Sequence, residues 1–265
     1  MPVLNRDEER TPPPSGSLPE ALREALAGAC AAYYRVASNV FDYRRFAASP
    51  EFDTLRVAAH GLAAFDCAAL GVGKRLSFWL NVYNALVLHA VVARRVDTGV
   101  RALRDFFSGS RYAVGGHEFS LDEIEHGLLR VNAPRLRVGA KPLPAGDPRH
   151  ALAPFMFDER VHFAMYSACR SSPRLAAYAP HGIGEALEEA AQAYLAAQVR
   201  VADGGATLVV PKLFDWYGVD FGGASGVREF VIAHLRRDED IDAVDRRGGR
   251  VRLRYADFDW TLNGA

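Results

Sequence analysis

The side chains able to do chemistry fall into four groups. Asn81 and Asn84 lie in a strongly apolar segment, and at about 100° per residue they share a helix face with Ser77 and Leu88. Glu125 stands among Leu121, Ile124 and Leu128 on the next helical stripe, beside His126. His162 belongs to an alternating run in which Val161, Phe163 and Met165 oppose His162, Ala164 and Tyr166, which predicts a half-buried strand. A small polar loop carrying Cys169, Ser171 and Ser172 follows, and Trp216-Tyr217 precedes Asp220. Amides, imidazoles and carboxylates in one domain are the inventory of a general acid–base or nucleophilic site. The roles that follow are His162 as acid–base and Glu125 or Asp220 as its orienting carboxylate. Asn81 and Asn84 would donate to a carbonyl or oxyanion, Cys169, Ser171 or Ser172 would be the nucleophile, and His126, Trp216 and Tyr217 would face the substrate. Each group also has a purely structural reading. A buried Asn can cap neighbouring backbone, a core His can be satisfied by hydrogen bonds, Glu125 can pair with Arg130 on its own helix, and Trp and Tyr often end in a core.

Other patterns fail on inspection. Gly71-Val72-Gly73-Lys74-Arg75 lacks both the earlier Gly and the following Ser or Thr of a phosphate loop. Asp220-Phe221-Gly222 has no kinase catalytic loop to accompany it, and Gly223-Ala224-Ser225-Gly226 misses the spacing of a nucleophile elbow. The eight histidines include no HExxH, which leaves only a metal site assembled from distant residues such as His89, His126 and His162. No cofactor is expected. Arg250, Arg252 and Arg254 alternate with apolar residues, and Asp238-Glu239-Asp240-Ile241-Asp242 offers them an acidic partner strand, so this face needs no nucleic acid.

The elements that must position these groups can be read in order. Residues 1–17, with Thr-Pro-Pro-Pro-Ser-Gly-Ser, predict a disordered tail, and 18–265 a single globular domain. Helices are expected over about 18–37, 50–65, 74–95, 121–131, 183–198 and 225–236, the third apolar nearly all round and therefore central. Hairpins are expected over 112–119, over 199–210 and around Gly248-Gly249, and a long loop over 132–150. The fold class is thus α+β, helix-rich, with a small mostly antiparallel sheet around a buried central helix. The 265 residues carry 32 basic and 32 acidic side chains and are 49% hydrophobic, a balance that favours neither a polyanion partner nor a membrane-embedded chain. Three scattered cysteines and the absence of an apolar leader predict a reduced, cytoplasmic protein. The expected partner is a small-molecule or peptide substrate.

Several blocks in order resemble the domain-of-unknown-function-547 family. They are Phe78-Trp79-Leu80-Asn81-Val82-Tyr83-Asn84, Ser120-Leu121-Asp122-Glu123-Ile124-Glu125-His126-Gly127, Asp158-Glu159-Arg160-Val161-His162, Trp216-Tyr217 with Asp220-Phe221, and Phe258-Asp259-Trp260. The resemblance carries no established activity. Many bacterial members place a Cys directly before the Pro of the third block and another a few residues upstream, whereas those positions here are similar to Ser172 and Ser167. A buried helix, then His, then Asp is also similar to the order in papain-like and transglutaminase-like hydrolases, although no Cys opens the helix here. A hydrolase or acyl transferase is the function this order implies, with a non-catalytic binding or scaffold module and a metal-assisted enzyme as alternatives.

Overall fold

A computed structural model describes residues 3–6, 17–134, 140–248 and 250–264. Helix α1 (Leu18–Tyr33) has Pro19 in its first turn, where a missing N–H is no loss. A short ladder, β1 (Tyr34–Arg35) with β2 (Val40–Phe41), leads to α2 (Tyr43–Ala47) and α3 (Pro50–Gly61). Ser49 caps α3 by accepting from the Phe52 amide at 3.2 Å. Both α1 and α3 pack on α4 (Arg75–Ala93), which is buried from Ser77 to Val91 on every side. Its apolar stretch is long enough to cross a membrane, yet 83% of it is buried inside the protein.

After α5 (Phe106–Gly109) comes the expected hairpin, β3 (Arg111–Val114) and β4 (His117–Ser120). Gly115 in its turn has φ +60°, and a Cβ there would stand 2.9 Å from the Cys67 sulfur. The capping box predicted at Ser120 closes reciprocally. The Ser120 amide donates to Glu123 at 2.8 Å and the Glu123 amide to Ser120 Oγ at 3.1 Å.

The second half contains α6 (Ile183–Gln198), β5 (Arg200–Ala202), β6 (Thr207–Val210), α7 (Leu213–Tyr217), α8 (Gly223–Ala233), α9 (Asp238–Asp245) and β7 (Arg252–Tyr255). It builds its own core from Phe163, Tyr194, Leu208, Phe214, Phe221 and Val231, next to the larger core around α4. The α+β, helix-rich class stands, although the described strands form three small sheets rather than one.

Four expectations change. His162 lies on a 3-10 turn, Glu159–Phe163, and not on a strand. Asp158 caps that turn through the Arg160 amide, and residues 161–166 are all buried, with Val161, Ala164, Met165 and Tyr166 in the larger core and Phe163 in the smaller, so the alternation in residue type marks no exposed face. The acidic run 238–242 opens α9, where Asp238, Glu239 and Asp240 occupy the first turn and meet the positive end of the helix dipole. No hairpin therefore joins it to β7, which pairs in parallel with β6, Thr207 opposite Arg252, and Gly249 lies outside the described residues. The expected tail splits in two. Residues 7–16 lie outside the described residues, but Asn5 is buried, with its amide donating to the Ala59 and Ala113 carbonyls and accepting from the Ala113 amide.

Candidate acid–base site

The site begins at the segment Glu123–Leu129, which is π-helical rather than α-helical. The Arg130 amide accordingly reaches back to the Glu125 carbonyl at 2.8 Å. This wider turn buries every residue from Ile124 to Arg130, so Glu125, His126 and Arg130 all face inward. Gly127 gives room for Leu143, whose side chain would lie 2.9 Å from a Cβ there.

Arg130 grips Asp220 with two parallel bonds, Nε to Oδ2 at 2.6 Å and Nη2 to Oδ1 at 2.9 Å. Asp220 is delivered by the short turn Gly218–Phe221 between α7 and α8. Gly226 lets α8 close on that turn, because any Cβ there would overlap the Phe221 carbonyl. His162 Nε2 meets Asp220 Oδ2 at 2.7 Å. Burial pushes the Asp220 pKa up, but the bonds from His162 and Arg130 and the Arg130 charge bring it down to about 2. Asp220 is therefore a carboxylate, which places the His162 proton on Nε2 as the donor. Burial makes His162 a weaker base than usual despite the opposing pull of Asp220, so at neutral pH its Nδ1 carries a bare lone pair. That Nδ1 is fully buried and has no hydrogen-bond partner among the described residues. The ring is held by stacking on Tyr217, centroids 4.2 Å apart.

Glu125 is held by tyrosines rather than by a cation. Tyr217 donates to Oε1 at 2.6 Å and Tyr83 to Oε2 at 3.1 Å. Burial opposes its ionisation, but His126, the Tyr217 bond, His162 and Arg130 together hold its pKa below the ordinary value. Arg130 can only donate, so its 3.0 Å contact with His126 Nδ1 leaves the His126 proton on Nε2. These groups share a cavity of about 90 Å³ walled by Tyr83, Glu125, His126, His162, Ser167, Trp216, Tyr217 and Trp260. Two larger clefts exist, about 370 Å³ at the start of α4 and about 660 Å³ beside Arg44 and Thr261, but neither is lined by a buried polar atom that lacks a partner.

The structure thus brings together His162, Asp220, Glu125, His126, Trp216 and Tyr217, and it places the remaining predicted residues elsewhere. Asn81 exchanges two bonds with the Tyr178 backbone, both 2.7 Å. Asn84 donates to the Ala164 and Ala176 carbonyls and accepts from the Tyr166 amide. These amides clamp irregular backbone onto α4 and are not directed at a substrate. Cys169 is buried, with its thiol pushed up to about 12 and a bond to Ser167 Oγ. Ser171 Oγ accepts from the Asp259 amide, and Ser172 Oγ accepts from the Ser167 amide. None of these three lines the cavity. His89 bonds Tyr112, so it forms no ligand set with His126 and His162, and no cluster of three ligating side chains occurs among the described residues.

Arg130 as the Asp220 clamp, Tyr83, Ser167 and Trp260 were not expected. Tyr83 lies on a helix that is apolar on all faces, so periodicity could not mark the side that meets Glu125. The spacing of Arg130 pointed only to partners on its own helix.

Residues 68–195 match the model of a family described as protein of unknown function, DUF547, which bears out the resemblance carried by the sequence blocks. The matched span includes α4, the π-helical segment and His162, while Asp220 and Trp216 lie beyond it. No curated protein and no solved structure matches the chain.

Proposed function

We propose that the protein is a hydrolase or acyl transferase in which His162 is the general base and Asp220 its orienting carboxylate. The observation that supports this best is the unpartnered Nδ1 of a buried, neutral His162 whose other nitrogen is fixed on a carboxylate. A buried acceptor left without a partner costs roughly 1–3 kcal/mol, and a proton taken from a nucleophile would satisfy it. In the reaction, Nδ1 removes a proton from an attacking hydroxyl or water, the nucleophile adds to the acyl carbon, and the same proton passes to the departing group. Asp220 stays ionised throughout, gripped by Arg130, and supports the imidazolium. Ser167 is the serine on the cavity wall, and His126, which lines the same cavity, would turn toward the acyl oxygen.

The test is turnover of a panel of p-nitrophenyl esters and acyl thioesters. His162→Ala should lower the rate on any accepted substrate roughly 10²–10⁴-fold while the circular dichroism stays unchanged. A rate that survives the substitution would refute the reading. A fluorophosphonate probe distinguishes the nucleophiles, since labelling of Ser167 identifies the hydroxyl and activity without labelling identifies water. The scaffold alternative draws on the closure of the remaining network, in which Glu125, Asp220 and Arg130 all have partners. It requires that no substrate in the panel be turned over by wild type.

A further inference from the structure

We propose that the cavity beside His162 receives a protonated amine, so that the substrate carries an ammonium head group. The inference rests on the reading of this cavity as the place where substrate binds, and it names the class of substrate. The charged side chains lining the cavity are Glu125 and Asp122, both acidic, and no Lys or Arg side chain lines it. Two cations lie against the wall rings from outside: Arg130 on Tyr217, 4.8 Å from its centroid and matched by the two-point bond to Asp220, and Arg101 on Trp260. The charged groups on the lining itself are therefore acidic, and both cations stand behind aromatic rings.

The uncharged walls favour the same ligand. Trp216, Trp260, Phe258 and Phe107 form one continuous aromatic side, with Trp216 and Trp260 centroids 5.5 Å apart and Phe258 and Trp260 centroids 4.5 Å apart. Aromatic faces attract cations through the ring quadrupole, best of all at Trp. Trp260 already does so once, with the Arg101 guanidinium 4.0 Å from its centroid. The unpartnered Nδ1 of His162 supplies an independent observation, because a bare lone pair accepts a hydrogen bond and cannot give one. Glu125 likewise only accepts. A ligand N–H carrying positive charge satisfies Glu125 and the rings and leaves Nδ1 to the nucleophile's proton, whereas a carboxylate or phosphate would meet like charge. A cavity of about 90 Å³ suits a small head group with the rest of the substrate outside.

The experiment is calorimetric titration of the full chain at pH 7 with n-butylamine, which is protonated there. The neutral 1-pentanol and the anionic valerate serve as comparison ligands of similar size, and the indole N–H signals of Trp216 and Trp260 are followed by NMR. Butylammonium should bind roughly tenfold or more tightly than 1-pentanol, shift both indole signals, and outcompete valerate. Trp260→Leu, a change at a half-buried ring, and Glu125→Gln should each weaken it several-fold, while Arg44→Ala at the remote cleft should leave it unchanged. Equal binding of 1-pentanol, preference for valerate, or no detectable butylammonium binding would overturn the inference. Butylammonium binding without His162-dependent turnover would uphold it while removing the catalytic reading. His162-dependent turnover with no preference for the amine would do the reverse.

Discussion

Replacing Asp220 by Asn tests the centre of the network, because Asp220 joins Arg130 to His162 with a side chain only 7% exposed. At neutral pH the amide keeps the size of the side chain but removes the charge that Arg130 requires. Leaving that guanidinium buried without its counter-ion should cost about 3–5 kcal/mol. The pH dependence is the sharper signature. The Asp220 pKa is lowered from 3.8 to about 2 in the folded protein. A lowered carboxylate pKa contributes stability that is complete above the unfolded value and is lost as pH falls through the folded one. The wild type should therefore lose about 1 kcal/mol from this group by pH 3 and about 2 kcal/mol by pH 2, relative to pH 6. Asp220→Asn has nothing to titrate at that position. The stability gap between the two proteins, measured by urea unfolding at a series of pH values, should narrow by at most those amounts as acid is added; groups remote from position 220 cancel, while His162, which loses the pull of Asp220 in the variant, works against the narrowing. A gap that stays constant from pH 6 to pH 2, or one below about 0.5 kcal/mol at pH 6, would refute the account of Asp220 as a buried, doubly held carboxylate.

Three further outcomes follow from the same geometry. Asn84→Ala strips three backbone groups of their partners and should lower stability by roughly 2–4 kcal/mol in denaturant titration, and a loss under about 0.5 kcal/mol would show that water replaces the amide. Asn5→Ala should cost roughly 1–3 kcal/mol by calorimetry, and a change within error would show that residues 3–6 add nothing to the fold. Cys169 should resist iodoacetamide at pH 7.5 in the native protein and react once unfolded, as read by mass spectrometry, because burial holds its thiol up at about 12, and rapid native alkylation would contradict that burial.

Local signals carried a large part of this protein. The position of α4, the β3–β4 hairpin with its two glycines, the Ser120–Glu123 capping box and the α6 helix all follow from spacing and turn chemistry, because each depends on contacts only a few residues apart. The burial of Glu125 followed from its place in an apolar stripe. What only the tertiary structure decided depends on contacts distant in sequence. Asn81 and Asn84 looked like free donors on one face, and the backbone they bond lies more than 79 residues further along the chain. The alternation around His162 has the same period as a strand, but the segment is a capped turn buried on all sides, most of it in the larger core and Phe163 in the smaller, so residue type there does not report a face. The partner of Arg130 lies 90 residues away on a turn closed by Gly226, and no local pattern could prefer it over Glu125. Periodicity reports which side of an element is buried, whereas the identity of a buried group's partner is settled by where the two cores meet. At that meeting, low polarity makes each unpaired charge costly enough to select one arrangement.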